Sequence, residues 1–284
     1  FSPDGRRVAY TSARCGAVEV YVADLDGDTT QLTHWGTDLT FVEGWLADGR
    51  VLVASGARQP FVRRLRLFAV DLDGVWEELP YGVASALALG PNGAAVTTPN
   101  ARDHAMWKRY RGGTASQLWL RPEGADDWQR LLPEVEAGIY NPSWVGDRLV
   151  FVSDLDASLA EAPDAQAQLY SVDAAGGDLQ RHTHHGTADG YVRNPTTDGS
   201  RVVYHARGRL YLLDSLGATP QRLEIDAPVS LSAVDVLPSQ RLLEVIPDHG
   251  GDLSVVEWYG GIHALTHRAG PARAIAADSG VRAR

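Results

Sequence analysis

Lys108, Arg109 and Arg111 place three cations within four residues of the stretch WKRYRGGTASQLWL (107–120), which contains no acid. The nearest upstream acid, Asp103, stands five residues before Lys108. Lys108 is the only lysine of a chain whose formal net charge is −10. A guanidinium presents a planar fork suited to a carboxylate, and an ammonium adds a compact charge. Gly112 and Gly113 let the backbone turn sharply or approach a ligand closely. Trp107 and Tyr110 supply an apolar wall. The chemistry such a group can do is to bind a small anion. The plainer alternative is a solvated basic loop that pairs with acids elsewhere, and the residues alone leave both open.

Other chemistry-bearing motifs are weaker. DLDGD (24–28) looks like a calcium loop, but there the glycine should follow the third acid, and Gly27 precedes Asp28. The same turn recurs as DLDGV, DAAGG and DSLGA with acids dropping out, so a hairpin turn is expected. HTHH (182–185) puts His182 and His184 in alternation, on one face of a strand and within reach of a metal. Against that, LTHWG, HTHHG and LTHRAG occupy the same place in an internal repeat, so His34, His184 and His267 read as a consensus of that place. No metal site and no cofactor are expected. There is no G-x-S-x-G elbow and no P-loop, and nothing orders a serine, a histidine or Cys15 into a nucleophile and base. No catalytic residue is expected in this chain.

The elements that position these residues come from the repeat. Six segments begin FSPDGRRVAYTS (Phe1), WLADGRVLVAS (Trp45), LGPNGAAVTTP (Leu89), WVGDRLVFVSD (Trp144), TTDGSRVVYHA (Thr196) and LPSQRLLEVIP (Leu237). Each is a polar turn, commonly Asp-Gly or Asn-Gly, running into an alternating strand. A second strand follows (VEVYVADLDG, LRLFAVDLDG, SQLWLRPEG, AQLYSVDAAGG, GRLYLLDSLG, LSVVEWYGG). A short closing strand comes next (TTQLTH, WEELPY, WQRLLP, LQRHTH, PQRLEI, IHALTH). A period of about 40 to 55 residues with four strands is that of a propeller blade. A two-sheet sandwich would leave the repetition unexplained. The expected fold is an all-β propeller of four-stranded antiparallel blades.

Strand parity then sorts the connections. Tight Asp-Gly and LDG-type turns fall at one end of every blade. The connections between second and third strands fall at the other, and these are the long ones, where function tends to sit. WKRYRGG belongs to the longest of them.

Composition narrows the classes. The 284 residues are 44% hydrophobic, enough for a real core, and 29 glycines with 15 prolines fit many short elements. A pI near 5.3 argues against a nucleic-acid surface. No apolar run reaches the ~18 residues of a membrane helix, and no signal peptide is visible. One cysteine excludes an internal disulfide framework. The expected compartment is the cytoplasm.

Four stretches carry a family resemblance: WKRYRGGTASQLWL (107–120), WVGDRLVFVSD (144–154), TTDGSRVVYHARGRLYLLDS (196–215) and LTHRAGPARAIAADSGVRAR (265–284). With them the chain resembles the N-terminal propeller region of tricorn-type proteases over nearly its whole length. The resemblance implies a serine peptidase that trims oligopeptides. It would be built from a six-bladed propeller, a seven-bladed propeller, a PDZ-like domain and mixed catalytic domains, and would act as a homo-oligomer. The catalytic serine and histidine belong to the later domains, so this portion should hydrolyse nothing by itself. It implies that the propellers channel oligopeptide substrates, and that a basic pair holds the substrate's C-terminal carboxylate. Lys108, Arg109 and Arg111 fit that place, without a choice of two among the three. Residues 1–232 are expected to be five blades of the six-bladed propeller, about one blade being missing before Phe1. Residues 233–284 are expected to open the second propeller; closure of all six repeats as one ring is the other arrangement. A TolB-like propeller that only binds protein partners is the alternative function.

Overall fold

The computed structural model describes residues 1–61, 63–98, 109–158, 166–225, 242–258, 261–268 and 272–276. The chain divides into two compact units, Phe1–Glu224 and Ile225–Arg284. The boundary expected at 232/233 falls among residues 226–241, outside the described residues.

The first unit is a succession of five antiparallel meanders. The first sheet has β1 (Arg7–Cys15), β2 (Ala17–Asp24) and β3 (Thr29–Gln31). The second has β4 (Thr40–Trp45), β5 (Val51–Ser55), β6 (Arg66–Val70) and β7 (Trp76–Glu78). The third has β8 (Ala86–Gly90), β9 (Gly93–Thr98), β10 (Gln117–Pro122) and β11 (Gln129–Leu131). The fourth has β12 (Ile139–Val145), β13 (Arg148–Ser153), β14 (Gln168–Val172) and β15 (Gln180–Arg181). The fifth has β16 (Arg193–Thr197), β17 (Val202–Ala206), β18 (Arg209–Leu213) and β19 (Gln221–Leu223). Four strands per sheet were expected, and the first sheet has three. Its β1 follows the Asp4-Gly5 turn and so matches the second strand of the other sheets.

Successive sheets pack face to face, and side-chain alternation decides which neighbour each residue meets. On β5 and β6, Val51, Val53, Phe68 and Val70 pack toward the first sheet. Their alternates Leu52, Ala54, Leu67 and Ala69 pack toward Leu87, Ala94 and Val96 of the third. On β13 the same division sends Leu149 and Phe151 to the third sheet and Val150 and Val152 to the fifth. A sheet covered on both faces reads as an unbroken apolar run, which is why VLVAS and RLVFVS carry no polar alternation.

The tight turns lie together at one end. Asn92 donates its side-chain N–H to the Asp147 carbonyl, and the Gly146 N–H donates to the Gly199 carbonyl, linking the first turns of sheets three, four and five. In the β2–β3 turn, Asp24 Oδ1 accepts from the backbone N–H groups of Asp26 and Asp28, with Gly27 at φ 97°. Asp71 and Asp173 do the same in their hairpins. The first acid of DLDGD is thus spent on closing a turn.

The second unit is described by one sheet: β20 (Leu242–Pro247), β21 (Leu253–Trp258), β22 (Gly261–Thr266) and β23 (Arg273–Ala276). Here the expected phase is corrected. IHALTH, expected to close its blade, is an inner strand that pairs with β21 on one side and β23 on the other. The closing strands of the first unit are two or three residues long, whereas β22 has six and can bond along both edges.

Candidate anion-binding loop

Arg109 and Arg111 stand in the connection between β9 and β10, the second-to-third-strand loop of the third sheet. Lys108 and Trp107 lie outside the described residues. Arg109 is exposed, Tyr110 and Arg111 are half-buried. Arg109 adopts left-handed backbone, at φ 57°, a conformation disfavoured for a residue with a Cβ.

What holds it is an acid from the next sheet. Asp154 follows β13 directly and is 5% exposed. Its Oδ2 accepts the Arg109 backbone N–H at 2.6 Å, and its Oδ1 accepts from Arg111 Nη1 at 3.1 Å. Arg111 Nη2 donates to the Asp154 backbone carbonyl at 3.0 Å, and Nη1 also reaches the Tyr110 carbonyl at 3.2 Å. The missing acid of the local run is therefore supplied 43 residues later. For Arg111, pairing with an acid elsewhere in the chain is what the structure shows.

The rest of the loop is tied to itself. Tyr110 OH accepts from Thr114 Oγ1 at 2.9 Å. A Cβ on Gly112 would run into the Tyr110 hydroxyl and push that side chain aside, whereas one on Gly113 would meet open space. The loop returns to the third sheet at Ser116, just before β10, and the Ser116 carbonyl accepts the Ile139 N–H at 3.0 Å. Beyond Asp154 a single 3-10 turn (Leu155–Ser158) carries Asp156, which pairs with Arg181 at 2.8 Å. Among the described residues no helix is long and apolar enough to cross a membrane.

The histidines are placed differently from the expectation of a shared strand face. His182 is buried, with Nε2 at 2.8 Å from Ser171 Oγ, while His184 is exposed. His185 is buried with Nε2 at 2.8 Å from Tyr204 OH. Burial pushes both His182 and His185 below the usual imidazole range. Among the described residues no group of three His, Cys, Asp or Glu could hold a metal ion.

The recurring TH motif does its structural work through threonine. Thr183 Oγ1 accepts the Leu169 N–H at 2.9 Å and donates to Gln168 Oε1 at 2.7 Å. Gln168 in turn accepts from the His185 N–H and donates to its carbonyl. In the first sheet Thr33 accepts the Val20 N–H at 2.9 Å and donates to Glu19 Oε2 at 2.6 Å. Glu19 Oε1 takes the Gly36 N–H at 2.7 Å. This latch pins the loop that leads to the next sheet. Sequence reasoning missed it and missed Asp154. The signal for the latch was a Glu or Gln near the start of the strand that runs into the LDG-type turn, paired with a Thr at the blade end; Asp154 had no local signal.

Meanders of short antiparallel strands, stacked face to face in chain order with tight turns at one end and long loops at the other, define a β-propeller. Within that class the chain belongs to the family of the tricorn protease N-terminal beta propeller domain, whose model matches residues 1–219. It is 46% identical over 290 residues to "Tricorn protease homolog 1" of Streptomyces coelicolor, covering 100% of this chain and 26% of that protein. The crystal structure of the tricorn protease superposes with TM-score 0.75 at 25% identity, over 97% of this chain and 27% of that one. TolB from Acinetobacter baumannii matches with TM-score 0.54 at 15% identity, over 94% of this chain and 65% of that one, a likeness of fold alone. The chain spans about a quarter of the length of these tricorn relatives, which are larger proteins.

Proposed function

We propose that the chain is the propeller portion of a cytoplasmic tricorn-type serine peptidase that degrades oligopeptides. The chain channels peptides and anchors their C-terminal carboxylate on the loop bearing Lys108, Arg109 and Arg111. The family assignment supports the peptidase context. The observation that carries the anchoring role is the Asp154 bracket, which fixes a cationic loop in one disfavoured backbone geometry at the long-loop end. A solvated surface loop needs no such fixing. Hydrolysis belongs to other domains of the parent, which assembles as a homo-oligomer. Residues 1–232 supply blades of its first propeller and 233–284 open the next. The TolB likeness, at 15% identity, adds no reason to prefer a pure protein-binding scaffold.

The test uses the full-length protein with matched peptides ending in a free carboxylate or an amide. Replacing Arg109 and Arg111 by Gln should raise KM for the free acid by about tenfold or more, and change the amide little, because the lost binding is to the carboxylate. Equal effects on both peptides refute the anchoring role.

A further inference from the structure

We propose that Asp154 is a positioning residue for substrate binding: it sets the geometry of the cationic loop through Arg111 and the Arg109 backbone, without touching the ligand itself. The inference rests on the anchoring reading given above and goes beyond it, by assigning a residue from a different sheet and dividing roles within the loop.

Three observations carry it. First, both carboxylate oxygens are used, each by a different residue: Oδ2 by the Arg109 N–H and Oδ1 by Arg111 Nη1. Second, the Asp154 carbonyl takes Arg111 Nη2, so the guanidinium grips backbone and side chain of one residue together. A planar fork makes both contacts from two separate nitrogens in one fixed geometry, whereas an ammonium is a single point charge with rotatable donors. Third, Asp154 is 5% exposed, which makes its carboxylate a fixture of the fold rather than a surface group. The bond to the Arg109 N–H acts at the residue with φ 57°, where an L-side chain stays only if the surroundings hold it. Arg111 is then the bracket, and Arg109, which is exposed, is the residue whose backbone the bracket holds. Asp154 directly follows β13 of the fourth sheet and the loop belongs to the third, so the bracket ties the two sheets together at the loop.

The experiment measures kcat and KM of the full-length protein for one peptide as free acid and as C-terminal amide. The wild type is expected to have a KM for the amide about tenfold or more above that for the acid. Asp154→Asn keeps the size, removes the charge and turns one acceptor into a donor. It should bring the amide-to-acid KM ratio toward one, by raising KM for the acid while kcat for the amide stays unchanged. Arg111→Lys, which keeps the charge and loses the fork, should do the same. The double variant should lose no more than either single one, because both break one unit. Arg181→Gln is the control: it breaks the neighbouring pair with Asp156, so it should lower the melting temperature and leave the ratio as in the wild type. A ratio retained in Asp154→Asn, or additive losses in the double variant, overturns the positioning role and leaves anchoring standing. A wild-type ratio of one overturns anchoring, and the positioning role with it. If Asp154→Asn fails to fold, the comparison of Arg111→Lys with Arg181→Gln decides: a ratio unchanged in both overturns the proposal.

Discussion

Thr183→Val replaces a buried hydroxyl by a methyl of nearly the same shape. Thr183 is fully buried, so water cannot take over its bonds. Two bonds are lost. The Leu169 N–H loses its acceptor at 2.9 Å, and Gln168 Oε1 loses one of its two donors. A buried N–H left without an acceptor costs about 1–3 kcal/mol, and the weakened amide oxygen adds up to about 1. The two together centre on about 2–3 kcal/mol. Thr183→Ser keeps the hydroxyl and deletes a methyl, a loss of about 1 kcal/mol. Calorimetry on the whole chain reads the difference: in a unit of some 200 residues each kcal/mol moves Tm by about 2–4 °C. Thr183→Val should therefore melt about 4–12 °C below the wild type, and Thr183→Ser only about 2–4 °C below. If Val melts no lower than Ser, the latch is held by packing and the hydrogen-bond argument is wrong. Thr33→Val in the first sheet should cost at least as much, because its acceptor there is the Glu19 carboxylate.

Two glycines separate strain from collision. Gly27 and Gly74 close equivalent turns at φ 97° and 81°, but a Cβ on Gly27 meets nothing, whereas one on Gly74 lies 2.8 Å from the Leu32 carbonyl. Gly27→Ala should cost about 1–2 kcal/mol from the backbone alone, and Gly74→Ala clearly more by urea unfolding; equal costs would show that the turn shifts to absorb the contact. Glu43 on β4 is pushed up to about 8 by desolvation, from an ordinary value near 4.5. The folded state then holds a proton that the unfolded state has lost, so stability falls as pH rises from about 4.5 through 8. Glu43→Gln should gain on the wild type steadily across that window, and a stability difference that does not change with pH would contradict the desolvated carboxyl.

The fold was legible because a propeller repeats its grammar. Asp-Gly turns, alternating runs and LDG turns recur at nearly constant spacing, and each marks a chain reversal that local chemistry enforces. Even the turn acids Asp24, Asp71 and Asp173 could be read as turn-formers, since their oxygens serve N–H groups only two and four residues away. The loop was legible only as an anomaly of charge. Its explanation, Asp154, lies 43 residues on, in a neighbouring sheet, and nothing local distinguishes that aspartate from the turn acids. The phase of the last sheet was misread for a related reason. The residues of IHALTH suit an outer or an inner strand equally, and the choice falls to whether a partner such as β23 comes up beside it. The TH motif drew attention to His184, which is exposed, while the threonine beside it carries the bonds.

The odd–even division of side chains on β5 and β13 gives every apolar position an address: one parity speaks to the sheet before, the other to the sheet after. Cohesion in this unit is then a string of nearest-neighbour terms, as in repeat proteins. Damage should travel poorly along it: a truncation on Val53 weakens one seam, one on Leu52 the next, and neither should reach the fifth sheet. The same arithmetic makes a gene tolerant of gaining or losing one whole repeat and intolerant of a single-residue slip in any β5-like strand, since a slip exchanges the two addresses at once. Blade number is the cheap variable for such a lineage, and register is the guarded one.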